Sequence, residues 1–300
     1  QSPSVLESKT SLDLLDIMAN LSYGDDNTTF PDYDAAPCHN HYCSLFQHVA
    51  PTFLAITCAT AALGTGALLV ALAKRPHAWG WPQSRVLVAQ LAVGMGLFAV
   101  LLPPIAIGIG QGWQLGSGLC RLTHLLWHWS LFAQGLLVGS SSWGTVWCCW
   151  DSQSRRLAVA LWAGALLMAT PAAVTSGTVA ATETSCIRRT VDILSPVYLL
   201  HLALCFCLFL LLPAVLVVAT LAVPQLRAGW EPRVSVNWLF FGLWMPYGVG
   251  LAVDFLIHAQ LLQPTCGTFK HFDYVLGLSE GLGVLHCCLG PAMLLALWLC

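Results

Sequence analysis

Residues 193–223 read ILSPVYLLHLALCFCLFLLLPAVLVVATLAV, a run without a single Asp, Glu, Lys or Arg. A helix rises about 1.5 Å per residue, so roughly 20 apolar residues cross the ~30 Å hydrocarbon core of a bilayer. A stretch this long and this free of charge predicts a membrane span. Six further runs of the same character occupy approximately 46–73, 84–110, 119–147, 157–177, 233–258 and 271–299. Turn-forming and polar residues separate them: Lys74-Arg75-Pro76, Gln111-Gly112, Asp151-Ser152-Gln153, Pro224-Gln225 and Gln263-Pro264-Thr265. Short connections place consecutive helices side by side and antiparallel. The expectation is an all-α membrane protein, a seven-transmembrane helix bundle over 46–300 behind an extracellular segment 1–45. The chain has no convincing internal repeat, which argues against an inverted-repeat transporter.

Composition agrees. Charged residues are 9% of the 300 positions, against roughly a quarter in soluble domains, and such a chain cannot surface a water-soluble globule. Hydrophobic types reach 57% and the mean hydropathy is +0.72, which excludes a disordered chain. Twelve basic residues against 14 acidic ones exclude a nucleic-acid-binding surface.

The charge is unevenly spread. Residues 1–45 carry Glu7, Asp13, Asp16, Asp25, Asp26, Asp32 and Asp34 against Lys9, a net of −6. The segment shows no basic-then-apolar leader. Two glycosylation sequons lie in it, Asn20-Leu21-Ser22 and Asn27-Thr28-Thr29, which points to the extracellular side. With the tail outside, the inner loops hold Lys74, Arg75, Arg85, Arg155, Arg156, Arg227 and Arg233 against Asp151 and Glu231, or +5. The outer loops sum to only +1. Positive charge therefore gathers inside, as orientation requires.

Thirteen cysteines sort by compartment. Cys120, Cys186, Cys38 and Cys266 face the oxidising side, and the natural pairs are Cys120–Cys186 and Cys38–Cys266, with Cys43 competing with Cys38. Cys58, Cys205, Cys207, Cys287 and Cys288 lie within spans and read as apolar packing residues. Cys148, Cys149 and Cys300 stand at cytosolic span ends, where packing is favoured over acylation.

Seven spans, an outer tail and this cysteine placement resemble the rhodopsin-like receptors, and the second outer pair narrows the resemblance to chemokine receptors. The seventh span's Ser279-Glu280 and His286-Cys287-Cys288-Leu289-Gly290-Pro291 are similar to that family's motifs. So are Trp244-Met245-Pro246-Tyr247, Pro171 and Pro213. Ala35-Ala36-Pro37-Cys38-His39, Ala89-Gln90-Leu91-Ala92-Val93-Gly94, Phe132-Ala133-Gln134 and Asp254-Phe255-Leu256 resemble the family's atypical branch. The likeness runs from about residue 35 to 299.

Four elements that the resemblance associates with signalling are missing. The Asp-Arg-Tyr position falls on Gly144-Thr145-Val146, and the acid of the second span's sodium site falls on Met95. The first span's asparagine is Ala67, and the seventh span's Asn-Pro-x-x-Tyr reads Gly290-Pro291-Ala292-Met293-Leu294. A ligand shifts an equilibrium only through an element that has two states. The expectation is therefore chemokine capture without productive G-protein coupling, with a conventional signalling receptor as the alternative.

Chemokines are small and basic, as the resemblance implies, and the acidic tail offers them an opposite field that speeds encounter. Tyr23, Asp25, Asp26, Asp32, Tyr33 and Asp34 are the expected contacts, with both tyrosines in acidic settings that suit sulfation. Within the bundle, ionisable residues are functional candidates by default. Asp273 and Glu280 are expected to receive a cationic ligand terminus. The structural alternative for Glu280 is a bond to His201 or His124. Asp254 is expected to stabilise the rim, and Trp244 to pack in the core. His124, His128, His201 and His286 have no acid at metal-ligand spacing, so polar packing is expected and no metal or other cofactor is called for.

Gly277-Leu278-Ser279-Glu280-Gly281 matches the nucleophile pattern of a serine hydrolase, making an intramembrane serine protease a second alternative. The run lies inside a continuous apolar segment, and the expectation is no enzyme activity. The family resemblance further implies homo- or hetero-oligomers with other chemokine receptors, a plasma-membrane location with cycling through early and recycling endosomes, and scavenging or transcytosis of ligand.

Overall fold

A computed structural model describes residues 42–74, 82–144, 154–180, 184–222, 233–263 and 265–299. The chain divides into Gln1–Cys38 and His39–Cys300, and all the described residues belong to the second unit. The helices run Tyr42–Lys74, Pro82–Gln111, Gly116–Gly144, Ser154–Thr175, a fifth span over Pro196–Ala222, Arg233–His258 and a seventh span over Cys266–Leu299. The boundaries differ from expectation mostly by a few residues. The first helix starts at Tyr42 rather than 46 and the third at Gly116 rather than 119. Helices extend past the hydrocarbon into polar surroundings, so apolarity alone underestimates their length.

Among the described residues, six spans are long and apolar enough to cross a bilayer by length and composition. Gly116–Gly144 is long enough but more polar, and its surroundings explain why. Residues 130–135 and 137–139 are all buried, so the middle of this helix is packed on every side by protein. A helix sheltered from lipid can carry His128, Ser130 and Gln134 without facing hydrocarbon. It packs against the second, fourth, fifth and sixth spans.

Two spans depart from continuous α-helix. In the fifth, Cys207–Leu211 forms a π turn in which the Leu212 N–H donates to the Cys207 carbonyl. Pro213 follows two residues later and has no N–H to give, so the hydrogen-bond ladder is already broken there. The seventh span is interrupted at Leu285, between Cys266–Val284 and His286–Leu299. The Leu285 N–H turns to the Leu282 carbonyl at 3.2 Å, tightening the turn.

The sequence run 157–177 hides a change of structure: its helix ends at Thr175, and Gly177 opens a strand. Strand β1 (Gly177–Ala180) pairs antiparallel with β2 (Thr184–Ile187), with Thr178 opposite Cys186. Cys186 forms a disulfide with Cys120, as expected, tying β2 to the top of the third helix. The Trp113 N–H donates to the Thr184 carbonyl at 2.6 Å, and the Thr190 N–H donates to Thr175 at 2.8 Å. The hairpin is thus fixed at both ends and in the middle.

Trp244, Phe98, Phe132, Phe209 and Phe241 fill the centre of the bundle. Phe209 stacks on Trp244 with centroids 5.6 Å apart. Trp244 packs in the core as expected, and its indole N–H also donates to His286 Nδ1 at 3.2 Å. The same Nδ1 lies 2.8 Å from the Gly283 carbonyl, so the indole donates to it only in the tautomer whose proton is on Nε2, and Nε2 lies 3.2 Å from Gln134 Oε1. Three spans are thereby joined by a buried polar chain.

Candidate functional site

An outward cavity of about 960 Å³ opens between the hairpin and the first, second, third and seventh spans. Phe46, Trp113, His124, Trp127, Arg188 and Glu280 are among its walls. The hairpin sets its floor charge. Arg188 follows Cys186 by two residues, so the disulfide that anchors β2 also aims this side chain. Its Nη2–H donates to Glu280 Oε1 in an ion pair, and its Nη1–H donates to the Tyr247 hydroxyl. The guanidinium also lies 5.5 Å from the Tyr247 ring centroid. Burial pulls the Arg188 pKa down, but the Glu280 and Tyr247 contributions outweigh it, and the guanidinium is held above its ordinary value.

This corrects one sequence expectation. Glu280 is bonded to Arg188, not to His201 or His124. The sequence signal for Arg188 was weak: a basic residue in an outer loop, which only the hairpin brings over the seventh span. The acid nevertheless remains at the cavity wall, with its side chain 28% exposed. Asp273 is half-buried on the same span, two turns nearer the outer end. Asp254 pairs at the rim with His258, Oδ1 to Nδ1 at 3.1 Å.

Ser279 donates to the Leu276 carbonyl at 2.7 Å inside a continuous helix. A hydroxyl committed to its own helix is not presented as a nucleophile. Tyr23, Asp25, Asp26, Asp32, Tyr33, Asp34, Asn20, Asn27 and Cys38 lie outside the described residues, and the Cys38–Cys266 pairing with them.

The positions of the missing signalling elements fall into three kinds. Met95 and Gly290 are packed together, and a Cβ on Gly290 would stand 2.7 Å from Met95 Sδ. The thioether therefore occupies the room that any side chain at 290 would need. Leu294 is buried one turn further along. Ala67 is exposed on the lipid side, and the buried polar group beside it is Thr65. Gly144 is the last described residue of the third helix, and Thr145 and Val146 lie outside the described residues.

No family profile matches the chain. Whole-sequence comparison finds close relatives. Atypical chemokine receptor 1 from Homo sapiens is 34% identical over 324 residues, covering 98% of this chain and 88% of the relative. The protein of the same name from Gorilla gorilla gorilla matches equally, at 34% with the same coverage. That from Bos taurus is 32% identical over 281 residues, 90% of this chain and 82% of the relative. The bundle, the Cys120–Cys186 tie and this full-length similarity agree: the chain belongs to the atypical chemokine receptor 1 family.

Proposed function

We propose that this protein captures several chemokines at the cell surface without activating a G protein, and buffers, scavenges or transcytoses them. The observation that carries the reading is the Met95–Gly290 contact. Signalling members of the wider family are expected to keep polar groups at both positions, where ions and hydrogen bonds can rearrange between states. Here a thioether fills the space beside a residue with no side chain. Apolar packing of this kind lacks the ion and hydrogen-bond partners that a ligand could re-pair between two states.

Capture begins at the acidic tail, where Asp25, Asp26, Asp32 and Asp34 attract a basic ligand and sulfated Tyr23 or Tyr33 adds acceptors for its Lys and Arg. Glycosylation at Asn20 and Asn27 and a second tie at Cys38–Cys266 belong to the same picture. The bound protein then presents its terminus to the cavity walled by Glu280, past Asp273 two turns nearer the outer end of the same span. Cycling through endosomes and association with other chemokine receptors complete the scavenging role.

The test is ligand-stimulated nucleotide exchange on heterotrimeric G protein, measured with the receptor reconstituted in bilayers and a panel of basic chemokines. Binding without exchange is the expected result. Exchange above the ligand-free rate refutes the proposal.

A further inference from the structure

The third and fifth spans bring together three metal-binding side chains that no acid accompanies in sequence. One nitrogen from each of His128 and His201 and the sulfur of Cys205 lie within 4.8 Å of one another, and all three residues are buried. His201 and Cys205 are one helical turn apart, with Sγ 3.8 Å from His201 Nε2. The two imidazoles meet edge to face with centroids 4.7 Å apart. A shared metal with bonds of about 2.3 Å to sulfur and about 2.0–2.1 Å to nitrogen separates those atoms by roughly 3.6–3.8 Å, for angles between tetrahedral and trigonal. The Cys205–His201 distance falls in that range, but Sγ stands almost equally far from both ring nitrogens, 3.8 Å from Nε2 and 4.0 Å from Nδ1, so the His201 ring must turn to aim a lone pair at a shared ion.

His128 is oriented as a ligand needs to be. Its Nδ1 lies 2.9 Å from the His124 carbonyl, which can only accept, so Nδ1 carries the proton and Nε2 keeps the lone pair. A backbone carbonyl on the distal nitrogen is the usual way proteins fix a metal-binding imidazole. The outer cavity is the nearest opening to the cluster. His124 lines the outer cavity, and its ring centroid is 6.4 Å from that of His128.

Charge selects the ion. Two neutral imidazoles and one thiolate carry −1 together, and Arg188 lines the same cavity as His124, the ring neighbour of His128. A divalent cation leaves net positive charge inside the bundle beside an arginine, whereas a monovalent one leaves none. Uncompensated buried charge is costly in a membrane. A thiolate with imidazoles at low coordination number suits copper(I). We infer that His128, His201 and Cys205 form a site for one copper(I) ion. Binding breaks the Cys205 S–H bond, releases that proton to solvent and forms one Cu–S and two Cu–N bonds, with the ion remaining Cu(I) throughout.

The experiment uses the 300-residue receptor in lipid nanodiscs. Copper(I) is supplied anaerobically as its acetonitrile complex, in competition with a chromophoric copper(I) chelator. Cys58, Cys207, Cys287 and Cys288 are other free thiols, so a Cys287→Ser/Cys288→Ser variant is run in parallel. One equivalent is expected to bind, weakened at least about tenfold by Cys205→Ser and by His128→Ala. The parallel variant is expected to bind like the wild type. X-ray absorption at the copper edge should show one sulfur and two nitrogen neighbours in the wild type, a measurement that needs no variant. A sulfur-only shell, unchanged binding in Cys205→Ser, loss of binding in the parallel variant, or displacement by equimolar Zn²⁺ would each overturn the assignment.

Discussion

Arg188 of the outer hairpin is bonded to Glu280 of the seventh span, so an acid that faces the cavity already has a cation on it. Any cationic group entering the cavity meets a neutral pair rather than a free carboxylate. Binding there is an exchange of one cation for another, and exchange gains little.

The first prediction concerns affinity. Half-exposed ion pairs are worth about 0–1 kcal/mol, so Glu280→Gln should lower chemokine affinity by no more than about fivefold. In an Arg188→Ala background the acid is released, and the same substitution should cost more. Equilibrium binding of labelled chemokine to the four variants of this cycle decides it. A hundredfold loss in Glu280→Gln alone would mean that the ligand, not Arg188, is the acid's main partner.

Gly290→Asn should destabilise the bundle by about 1–3 kcal/mol, because its Cβ would stand 2.7 Å from Met95 Sδ. Met95→Ala removes that obstruction and should recover much of the loss in the double variant. Thermal unfolding in detergent reports both. Equal melting temperatures for the single and double variants would show that the two side chains do not compete for space.

Cys120→Ser opens a disulfide whose ends are 66 residues apart in sequence. Closing a long loop is commonly worth about 2–5 kcal/mol. Because the same bond aims Arg188, the variant should lose the Arg188–Glu280 coupling as well as stability. The measurement is the double-mutant cycle of Arg188→Ala and Glu280→Gln, repeated in Cys120→Ser. A coupling that survives unchanged would show the hairpin is positioned by its hydrogen bonds alone.

Replacing Asp25, Asp26, Asp32 and Asp34 together by Asn should slow chemokine association on the order of tenfold at low salt. The difference should shrink as salt screens the field. Stopped-flow or surface-capture kinetics at two ionic strengths test this. An association rate independent of both the substitutions and salt would remove the tail from the encounter step.

The bundle was legible because hydrocarbon imposes a one-dimensional rule. Runs such as 193–223 and 233–258 are long and apolar whatever surrounds them, and each became a span. The outer hairpin was not legible. Thr178-Val179 and Ser185-Cys186 are short, and strand pairing depends on the disulfide and on backbone bonds from Trp113 and Thr190. The partner of Glu280 was missed for the same reason. Arg188 lies 92 residues away, and no local pattern marks a loop residue as the one that turns inward.

The sequence by itself determined which segments are long and apolar enough to cross a bilayer, and it marked Cys120 and Cys186 as a pair. The apolar runs follow from composition, and composition survives reading one residue after another. Tertiary structure alone decided which groups touch. The Met95–Gly290 contact, the Trp244–His286–Gln134 chain and the meeting of His128 with His201 and Cys205 each join separate spans. Their partners are chosen by how helices rotate and lean against one another, and that depends on all the packed side chains at once.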